Sequence, residues 1–366
     1  MANIHHPSRY IDQRHSAIIR DNAAQAEQLG QLTTEQLKVV YNEKWFRLLV
    51  PQVYGGKQIT LPELVRLQEA ISWTDGSTGW VVTLCSGAGW FGGFIDPDAA
   101  QQILNTENVC LAGSGAVSGT AEITDDGYLL NGTWNYASGA HHATHLTANC
   151  NITQNGASVL DDDGQPRVLP FVIDKKDVTL LSTWKYIGMV ATGSHSFQLA
   201  DVKVAANRCF KIDPLYAKVE GKLYQYPFLQ LAEATLAVNL SGMAVHFVDL
   251  CRVIFEEKQH QPKVTRAQMD LMWLTLNEQM ELLNLARTEL FAAVDASWEE
   301  TTPGNLKIVS QTSRVLAKLA RVAVDTLYPY CGLNAAAPDT EINRVWRDIH
   351  TAGQHSLLTF LEVADD

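Results

Sequence analysis

The 366-residue chain is short of the features that mark several large classes of protein. Its six cysteines are scattered through apolar sequence without a Cys-x-x-Cys pair, which favours reduced, buried thiols over a disulfide framework or a zinc site. No apolar run approaches the roughly 18 residues that span a bilayer, and segment 1–20 is polar, so we expect a soluble, cytoplasmic protein. Lysine and arginine form no cluster and the net charge is -12, which argues against nucleic acid or a membrane surface as a partner.

The chain also lacks the alternation of strands and helices that a Rossmann fold requires. The segment Gly113-Ser-Gly115-Ala-Val-Ser-Gly119 resembles a phosphate-binding glycine loop, but its surroundings predict that it opens a hairpin rather than a helix. The helix N-terminus that would hold a pyrophosphate is therefore missing. We do not expect a dinucleotide fingerprint at this position.

The hydrophobic periodicity changes twice along the chain and divides it into three domains. Residues 1–107 show helical spacing, with capping boxes that begin at Thr33 and Thr60. Residues 108–215 contain short runs of β type, and residues 216–366 return to helical spacing. This order predicts an α+β protein that is mostly α, with an N-terminal helical domain, a central antiparallel β-barrel-like domain and a C-terminal four-helix bundle.

The pattern also predicts individual elements. In the central domain, the turn Asp125-Asp126-Gly127 joins a hairpin of 120–124 and 128–134, and further strands are expected at 167–173 and 196–204. The helices of the bundle are expected at 229–258, 265–297, 306–328 and 340–362.

Four short motifs occur in order along the chain. They are Pro51-Gln-Val-Tyr54-Gly55-Gly56; Asp75-Gly-Ser77-Thr78-Gly79-Trp80; Asn131-Gly-Thr-Trp134-Asn-Tyr136-Ala-Ser138-Gly139 followed by Trp184-x-x-x-Gly188-Met189-x-x-Thr192-Gly193-Ser194; and Arg347-Asp348 with His355. Their order and spacing resemble the acyl-CoA dehydrogenase superfamily. The second and third motifs resemble its branch of two-component flavin-dependent monooxygenases in particular.

The resemblance implies a reaction and its participants. A separate flavin reductase would supply reduced FMN or FAD, and molecular oxygen would be the co-substrate. A flavin C4a-hydroperoxide would then transfer one oxygen atom to an aromatic or other electron-rich small molecule. Two alternatives stay open. The chain could be an acyl-CoA dehydrogenase-type flavoprotein that oxidises a thioester, or it could be a non-catalytic flavin-binding protein.

The closing motif bears on the choice between these reactions. Dehydrogenases of the superfamily carry a glutamate base where this chain has Ser356, preceded by His355. On one continuous helix, His355 would share a face with Asp348 and oppose an anchoring Trp346. With an ordinary pKa of about 6.5, an imidazole can accept a proton from a phenol. The resemblance makes His355 the expected substrate base, although a surface histidine would give the same pattern, and a dehydrogenase base could have moved to Glu362.

The resemblance also implies flavin contacts on the central domain. Ser138 would bond the flavin N5 edge, and Tyr136 would lie beside the isoalloxazine, on the strand face that it shares with a core Trp134. A serine that merely ends a strand remains the alternative. Contacts to the pyrimidine side of the ring are expected from a loop of small residues, for which an ordinary tight turn is the alternative: Ala112, Gly113 and Ser114.

On the first bundle helix, Arg252 and Phe255 match a spacing that the family uses to contact the flavin tail of a neighbouring subunit. This implies a homo-oligomer, for which the family norm is a homotetramer.

The substrate contacts expected from the chain are Trp80, Trp90, His142 and His195. Helix packing is the alternative for both tryptophans, which lie in a stretch rich in small residues. The trio His141, His142 and His145 lacks a completing carboxylate or cysteine, so we expect no metal site. Relatives that hydroxylate phenolic acids bind substrate through a histidine shortly before the position of Trp90, where this chain has Ser86-Gly-Ala88-Gly. That departure argues against a phenolic acid.

Overall fold

The computed structural model describes residues 4–359, in the order helices, strands, helices, which confirms an α+β fold that is mostly α. The helices are α1 (Gln13–Leu29), α2 (Thr34–Asn42), α3 (Leu61–Thr74), α4 (Gly76–Trp90), α5 (Pro97–Leu104), α6 (Lys222–Gln225), α7 (Phe228–Lys258), α8 (Arg266–Glu299), α9 (Pro303–Leu327), α10 (Glu341–Ala352) and α11 (Ser356–Thr359). The strands are β1 (Leu111–Thr124), β2 (Gly127–Ala137), β3 (His145–Gln154), β4 (Ala157–Ser158), β5 (Val168–Asp174), β6 (Thr179–Leu181) and β7 (His195–Ala205).

Both capping boxes expected from the sequence are present. The Thr33 hydroxyl accepts from the backbone N–H of Gln36, whose side chain accepts in return from Thr33 N, and this pair starts α2. Thr60 and Glu63 form the same reciprocal pair at the start of α3. Each box satisfies two backbone donors that the first turn of a helix leaves unpaired.

The helix α4 follows α3 after a single residue, Asp75, which serves as its N-cap. The Asp75 carboxylate accepts from Thr78 N (2.8 Å) and Thr78 Oγ1 (2.6 Å). A Cβ on Gly79 would overlap Ser72 of α3, so this glycine lets the two helices approach closely. Helix packing therefore explains at least part of the small-residue stretch.

The β domain is one mixed sheet rather than the antiparallel barrel-like domain that was expected. Its strand order is β4-β3-β1-β2-β7-β6, with β5 also paired to β3. The hairpin of β1 and β2 confirms the predicted turn, and β5 and β7 confirm the two further strands. However, β3 pairs with β1 in parallel. The chain crosses from β2 to the far side of β1, so β3 runs opposite to β2 and therefore in the direction of β1.

The bundle is built around α7, which packs against α3, α4, α8, α9 and α10. The first three bundle helices match their predicted spans, but the fourth does not run to residue 362. Instead α10 ends at Ala352, with Gly353 as its C-cap, and a bend that contains His355 separates it from α11. Glu362, the alternative base, lies outside the described residues.

One expectation about apolar runs was wrong. With 31 residues and a window of mean hydropathy 1.4, α7 is long and apolar enough to cross a membrane. Polar residues such as Asn239 and His246 interrupt it, which is why the sequence showed no continuous run. In the fold, 72% of that window is buried, as in a core helix of a globular domain. All six cysteines carry free thiols, and each is buried except the half-buried Cys209.

Candidate active site

The side chain of Trp80 on α4 touches both residues that were expected to be catalytic. Its Nε1 donates a hydrogen bond to Ser138 Oγ (3.2 Å), directly after β2. Its ring meets the imidazole of His355 at 61°, with ring centroids 6.0 Å apart. Trp80 and Ser138 are buried and His355 is half-buried. Three residues from three separate motifs are thus brought to one place.

Close approach of β2 to α4 fixes the position of Ser138. The next residue, Gly139, has a φ of +75° and lies so close to α4 that a Cβ would stand 2.6 Å from Cys85 Sγ. The Cys85 thiol also donates to the Ser138 carbonyl (3.6 Å). Both the positive φ and the lack of space require glycine here. The Ser138-Gly139 pair of the motif therefore docks the strand end on the helix that carries Trp80.

A row of hydroxyl groups leads from Ser138 into the turn before β7. Ser138 Oγ lies 2.8 Å from Ser194 Oγ, which lies 2.6 Å from Thr192 Oγ1. Thr192 Oγ1 in turn donates to the carbonyl of Met189 (2.7 Å). Sequence reasoning placed these residues in a motif but assigned no role to Ser194 or Thr192. The sequence feature that could have indicated the row is the presence of two hydroxyl residues, Thr192 and Ser194, on either side of Gly193.

The Arg347-Asp348 pair of α10 holds the turn from which this row starts. Asp348 is buried, and its Oδ1 accepts a hydrogen bond from Met189 N. The Arg347 guanidinium donates to the carbonyl of Ile187 (2.7 Å). Gly188 packs so closely that a Cβ would overlap the Arg347 carbonyl. The pair therefore braces residues 187–189 beneath the hydroxyl row.

The environment of Asp348 favours its protonated form. Burial, reinforced by the negative charge of Asp75, raises the pKa of Asp348 to about 8. At neutral pH this group is mainly a neutral acid that accepts one backbone hydrogen bond. It is a structural group that holds the turn at Met189.

His355 stands in the bend between α10 and α11, so the helical-face argument that set it opposite Trp346 does not hold. Burial lowers the pKa of His355, which leaves the imidazole neutral at neutral pH. The bend is tied to α9 on both sides of the histidine. Arg321 Nη1 donates to Gly353 O (2.9 Å) and Arg314 Nε to Leu357 O (3.4 Å).

Trp90 does not contact this site. Its side chain is buried, its Nε1 donates to Leu223 O (3.0 Å), and its ring packs on Phe94 and Phe228. The expectation that Trp90 binds substrate is wrong, because its indole belongs to an aromatic core between α4 and the start of α7. Trp90 therefore serves in helix packing, which was the alternative role expected for it.

The histidines near the end of β2 turn to separate partners. His142 Nε2 accepts from Leu32 N (3.3 Å), and burial lowers the pKa of His142 to about 4. His145 faces the Asp174 carboxylate (3.2 Å), while His141 packs edge-on against His195. His142 thus has a structural role as an acceptor, and its contact with substrate stays a prediction. The three side chains do not converge on one point.

His195 also has a structural partner. Its Nδ1 accepts from Trp184 N (3.1 Å), which fixes the segment that carries Trp184 and Tyr186. A direct substrate contact by His195 remains a prediction.

Tyr136, the residue expected beside the flavin ring, lies in a cluster of three aromatic side chains at the end of β2. Tyr136 is 60% exposed, with its hydroxyl 3.3 Å from that of Tyr186 and its ring against Trp184. It has a φ of +67° at a break in register between Trp134 and Ala137. This bulge turns Tyr136 outward, whereas Trp134 is fully buried in the core. The expectation that both rings share one face is therefore wrong.

The small residues expected to line the pyrimidine side belong to β1 and not to a loop. Ala112 is buried, and Gly113 is needed because a Cβ would overlap Thr147 of the parallel strand β3. Ser114 is half-buried, and its Oγ accepts from Ala116 N (3.2 Å) at a bulge. Contact of these residues with a flavin stays a prediction, and Ser114 is the one with an accessible side chain.

Comparison with known proteins agrees with this geometry. A family model described as "Acyl-CoA dehydrogenase, C-terminal domain" matches residues 232–360. The oxygenase subunit HsaA of a flavin-dependent monooxygenase from Rhodococcus jostii is 24% identical over 92% of this chain and 91% of its own length. The solved structure of 3-HSA hydroxylase from Rhodococcus shares the fold at a TM-score of 0.86, with 23% identity over 97% of this chain and 94% of that one. XiaF from Streptomyces, solved with FADH2 and glycerol, shares it at a TM-score of 0.83, with 21% identity over 96% of this chain and 91% of that one.

Over nearly its whole length the chain is thus similar to oxygenase components of flavin-dependent monooxygenases, and its C-terminal part matches the acyl-CoA dehydrogenase family. The residues present fit the cofactor that this similarity implies. Ser138 Oγ has one hydrogen-bonding position beyond those to Trp80 and Ser194, and it follows Tyr136 by two residues. The Tyr136 ring is exposed and lies against Trp184, so a polar group and aromatic rings occur close together, which suits a flat ring system with polar edges. The position of the superfamily glutamate holds Ser356, which is exposed.

Arg252 and Phe255, the two residues expected to contact a neighbouring subunit's flavin, differ in exposure. Arg252 lies exposed on α7, and its role toward a neighbouring flavin stays a prediction. Phe255 is fully buried within its own chain, where its ring meets Trp273 edge-on (5.8 Å). Phe255 thus offers no surface to a neighbouring subunit, and the expectation of a flavin contact by this residue is wrong.

Proposed function

We propose that this flavin-dependent monooxygenase hydroxylates a neutral aromatic small molecule, with reduced FMN or FAD from a separate reductase and molecular oxygen as co-substrate. Bound flavin supplies the activation of oxygen. The observation that carries the proposal is the contact of Trp80 with both Ser138 and His355, because it joins the expected flavin-side residue to the expected base. The protein's part is to bind, to orient and to accept a proton.

His355 is the proposed acceptor of the substrate's phenolic proton. Its imidazole is neutral at neutral pH, since burial lowers its pKa, and the half-buried ring meets the Trp80 ring at an angle of 61°. A positioned base of this kind typically contributes about two to four orders of magnitude to the rate. Because burial lowers this pKa, we expect the rate of hydroxylation to fall only at a pH below the ordinary imidazole value of about 6.5, where His355 becomes protonated.

The face of α4 that begins at Trp80 supports a neutral, apolar substrate. Trp80, Leu84, Gly87 and Phe91 follow one another at helical spacing and form one face without a charged group. A Cβ on Gly87 would meet nothing within 4 Å, so this glycine borders open space. The same stretch lacks the histidine that would bind a phenolic acid.

The assembly and location of the enzyme are also proposals. We place it in the cytoplasm as a homotetramer in which Arg252 reaches the flavin tail of a neighbouring subunit. Supporting this, α8 exposes four leucines along its outer side. They are Leu271, Leu274, Leu282 and Leu285. Light scattering of the purified protein measures the assembly directly.

The decisive experiment mixes protein loaded anaerobically with FMNH2 or FADH2 with oxygenated buffer that contains neutral phenols or indoles. We expect a hydroxylated product, and we expect His355→Gln to bind reduced flavin normally but to release hydrogen peroxide in place of product. His260→Gln, at an exposed histidine, is the matched control. Anaerobic bleaching of oxidised flavin by an acyl-CoA, or full activity of the His355 variant, would contradict the proposal.

A further inference from the structure

The hydroxyl row behind Ser138 has only one consistent direction of hydrogen bonding. A carbonyl oxygen can only accept, so Thr192 Oγ1, 2.7 Å from Met189 O, must donate to it. Thr192 therefore accepts from Ser194 (2.6 Å), and Ser194 accepts from Ser138 (2.8 Å). Each hydroxyl has a single hydrogen, and each hydrogen in the row is thereby committed.

The opposite direction carries a clear penalty. If Thr192 donated to Ser194 instead, the lone pairs of Thr192 Oγ1 and Met189 O would face each other at 2.7 Å without a hydrogen between them. At the other end, the indole N–H of Trp80 can only donate, and it donates to Ser138 Oγ (3.2 Å). Ser138 thus receives one hydrogen bond, gives its own hydrogen away and retains one lone pair.

We propose that the row Thr192, Ser194 and Ser138 makes Ser138 an obligate acceptor toward the flavin, so that this chain discriminates in favour of reduced flavin. In reduced flavin N5 carries a hydrogen and can donate to the remaining lone pair. In oxidised flavin N5 is itself an acceptor, and two lone pairs would meet. The inference rests on the proposed flavin role of Ser138, and it makes Trp80, Ser194 and Thr192 positioning residues.

The direction of the row can be reversed by one nearly isosteric change. In Thr192→Val no acceptor remains for Ser194, whose hydrogen turns to Ser138, and the hydrogen of Ser138 is then free to point at flavin N5. Ser194→Ala frees the hydrogen of Ser138 in the same way. Both variants should bind oxidised flavin more tightly and reduced flavin more weakly, which lowers the affinity ratio of reduced to oxidised flavin by about tenfold. Thr192→Ser keeps the hydroxyl that donates to Met189 O, so its affinity ratio should equal that of the unmodified protein.

The measurement is anaerobic equilibrium titration with FMN, FMNH2, FAD and FADH2 in the absence of substrate and oxygen. Thr183→Val is the matched control, because Thr183 Oγ1 pairs with Ser196 (2.7 Å) in a separate hydroxyl pair that does not include Ser138. If Thr192→Val does not fold, Ser194→Ala decides. An unchanged ratio in Ser194→Ala beside a changed ratio in Ser138→Ala would overturn the inference while leaving Ser138 as a flavin contact. Since no hydroxylation is measured, failure of the proposed reaction would not mimic this result.

Discussion

Replacement of Asp348 by asparagine should remove most of the loss of stability that this protein suffers as the pH rises. The unfolded carboxyl has an ordinary pKa of 3.8, whereas the folded one is raised to about 8 by burial and by Asp75. Between these values the unfolded chain has released the proton that the folded chain retains. Stability is therefore fully present below the unfolded pKa and is lost as the pH rises toward the folded pKa.

The size of the loss follows from the same shift. From about pH 5 to the folded pKa there are about three pKa units, each worth about 1.4 kcal/mol, so the free energy of unfolding should fall by about 4 kcal/mol. In Asp348→Asn the amide oxygen can still accept from Met189 N, and the amide NH2 replaces the protonated oxygen. The variant should therefore keep the turn at 187–189 without the pH-dependent penalty.

Urea unfolding at about pH 5 and about pH 9 measures the difference. Buried histidines such as His142, whose pKa is lowered to about 4, act in the opposite direction, but they are common to both proteins and cancel in the comparison. Asp339→Asn, at an exposed carboxylate of the same segment, should behave like the unmodified protein. Equal losses in Asp348→Asn and the unmodified protein would refute the raised pKa as the cause.

Two further changes test the placement of the base and the shape of the substrate site. Arg321→Ala removes the hydrogen bond to Gly353 O (2.9 Å) that ties down the bend of His355, and we expect kcat to fall about tenfold with KM changed less than about twofold. Arg321→Lys should recover part of the loss, and Lys318→Ala on the same helix should have no effect. Gly87→Leu should lower kcat/KM for bulky apolar phenols by about tenfold and leave phenol itself nearly unaffected, and equal losses for both would argue that Gly87 borders no substrate.

Local patterns in the sequence were sufficient for most of the fold. The capping boxes at Thr33 and Thr60 and the turn at Asp125-Asp126-Gly127 depend on neighbours within four residues, so they could be predicted correctly. The strand β3 was missed, and with it the parallel pairing to β1. The direction of β3 depends on the chain passing from β2 across to the far side of β1. That path is determined by contacts between distant segments, so no local sequence pattern predicts it.

The site was predictable as a set of residues but not as an arrangement. Motifs pointed to Trp80, Ser138 and His355, and the structure brings them together. The face of His355 was predicted wrongly because periodicity was carried past Ala352, where the helix ends. The bend that carries it is held by the hydrogen bond from Arg321 on α9 to Gly353 O, which sequence spacing cannot reveal.

The Arg347-Asp348 pair of the closing motif has a structural role, because it holds residues 187–189 and does not act as a base. Asp348 binds Met189 N, and the carbonyl of the same Met189 accepts from Thr192, the start of the row that ends at Ser138. A charged carboxylate at this depth would be costly, and protonation removes that cost while it keeps the acceptor that Met189 needs. The Arg-Asp pair therefore holds the turn behind Ser138, and His355, the proposed base, lies separately in the bend that follows α10.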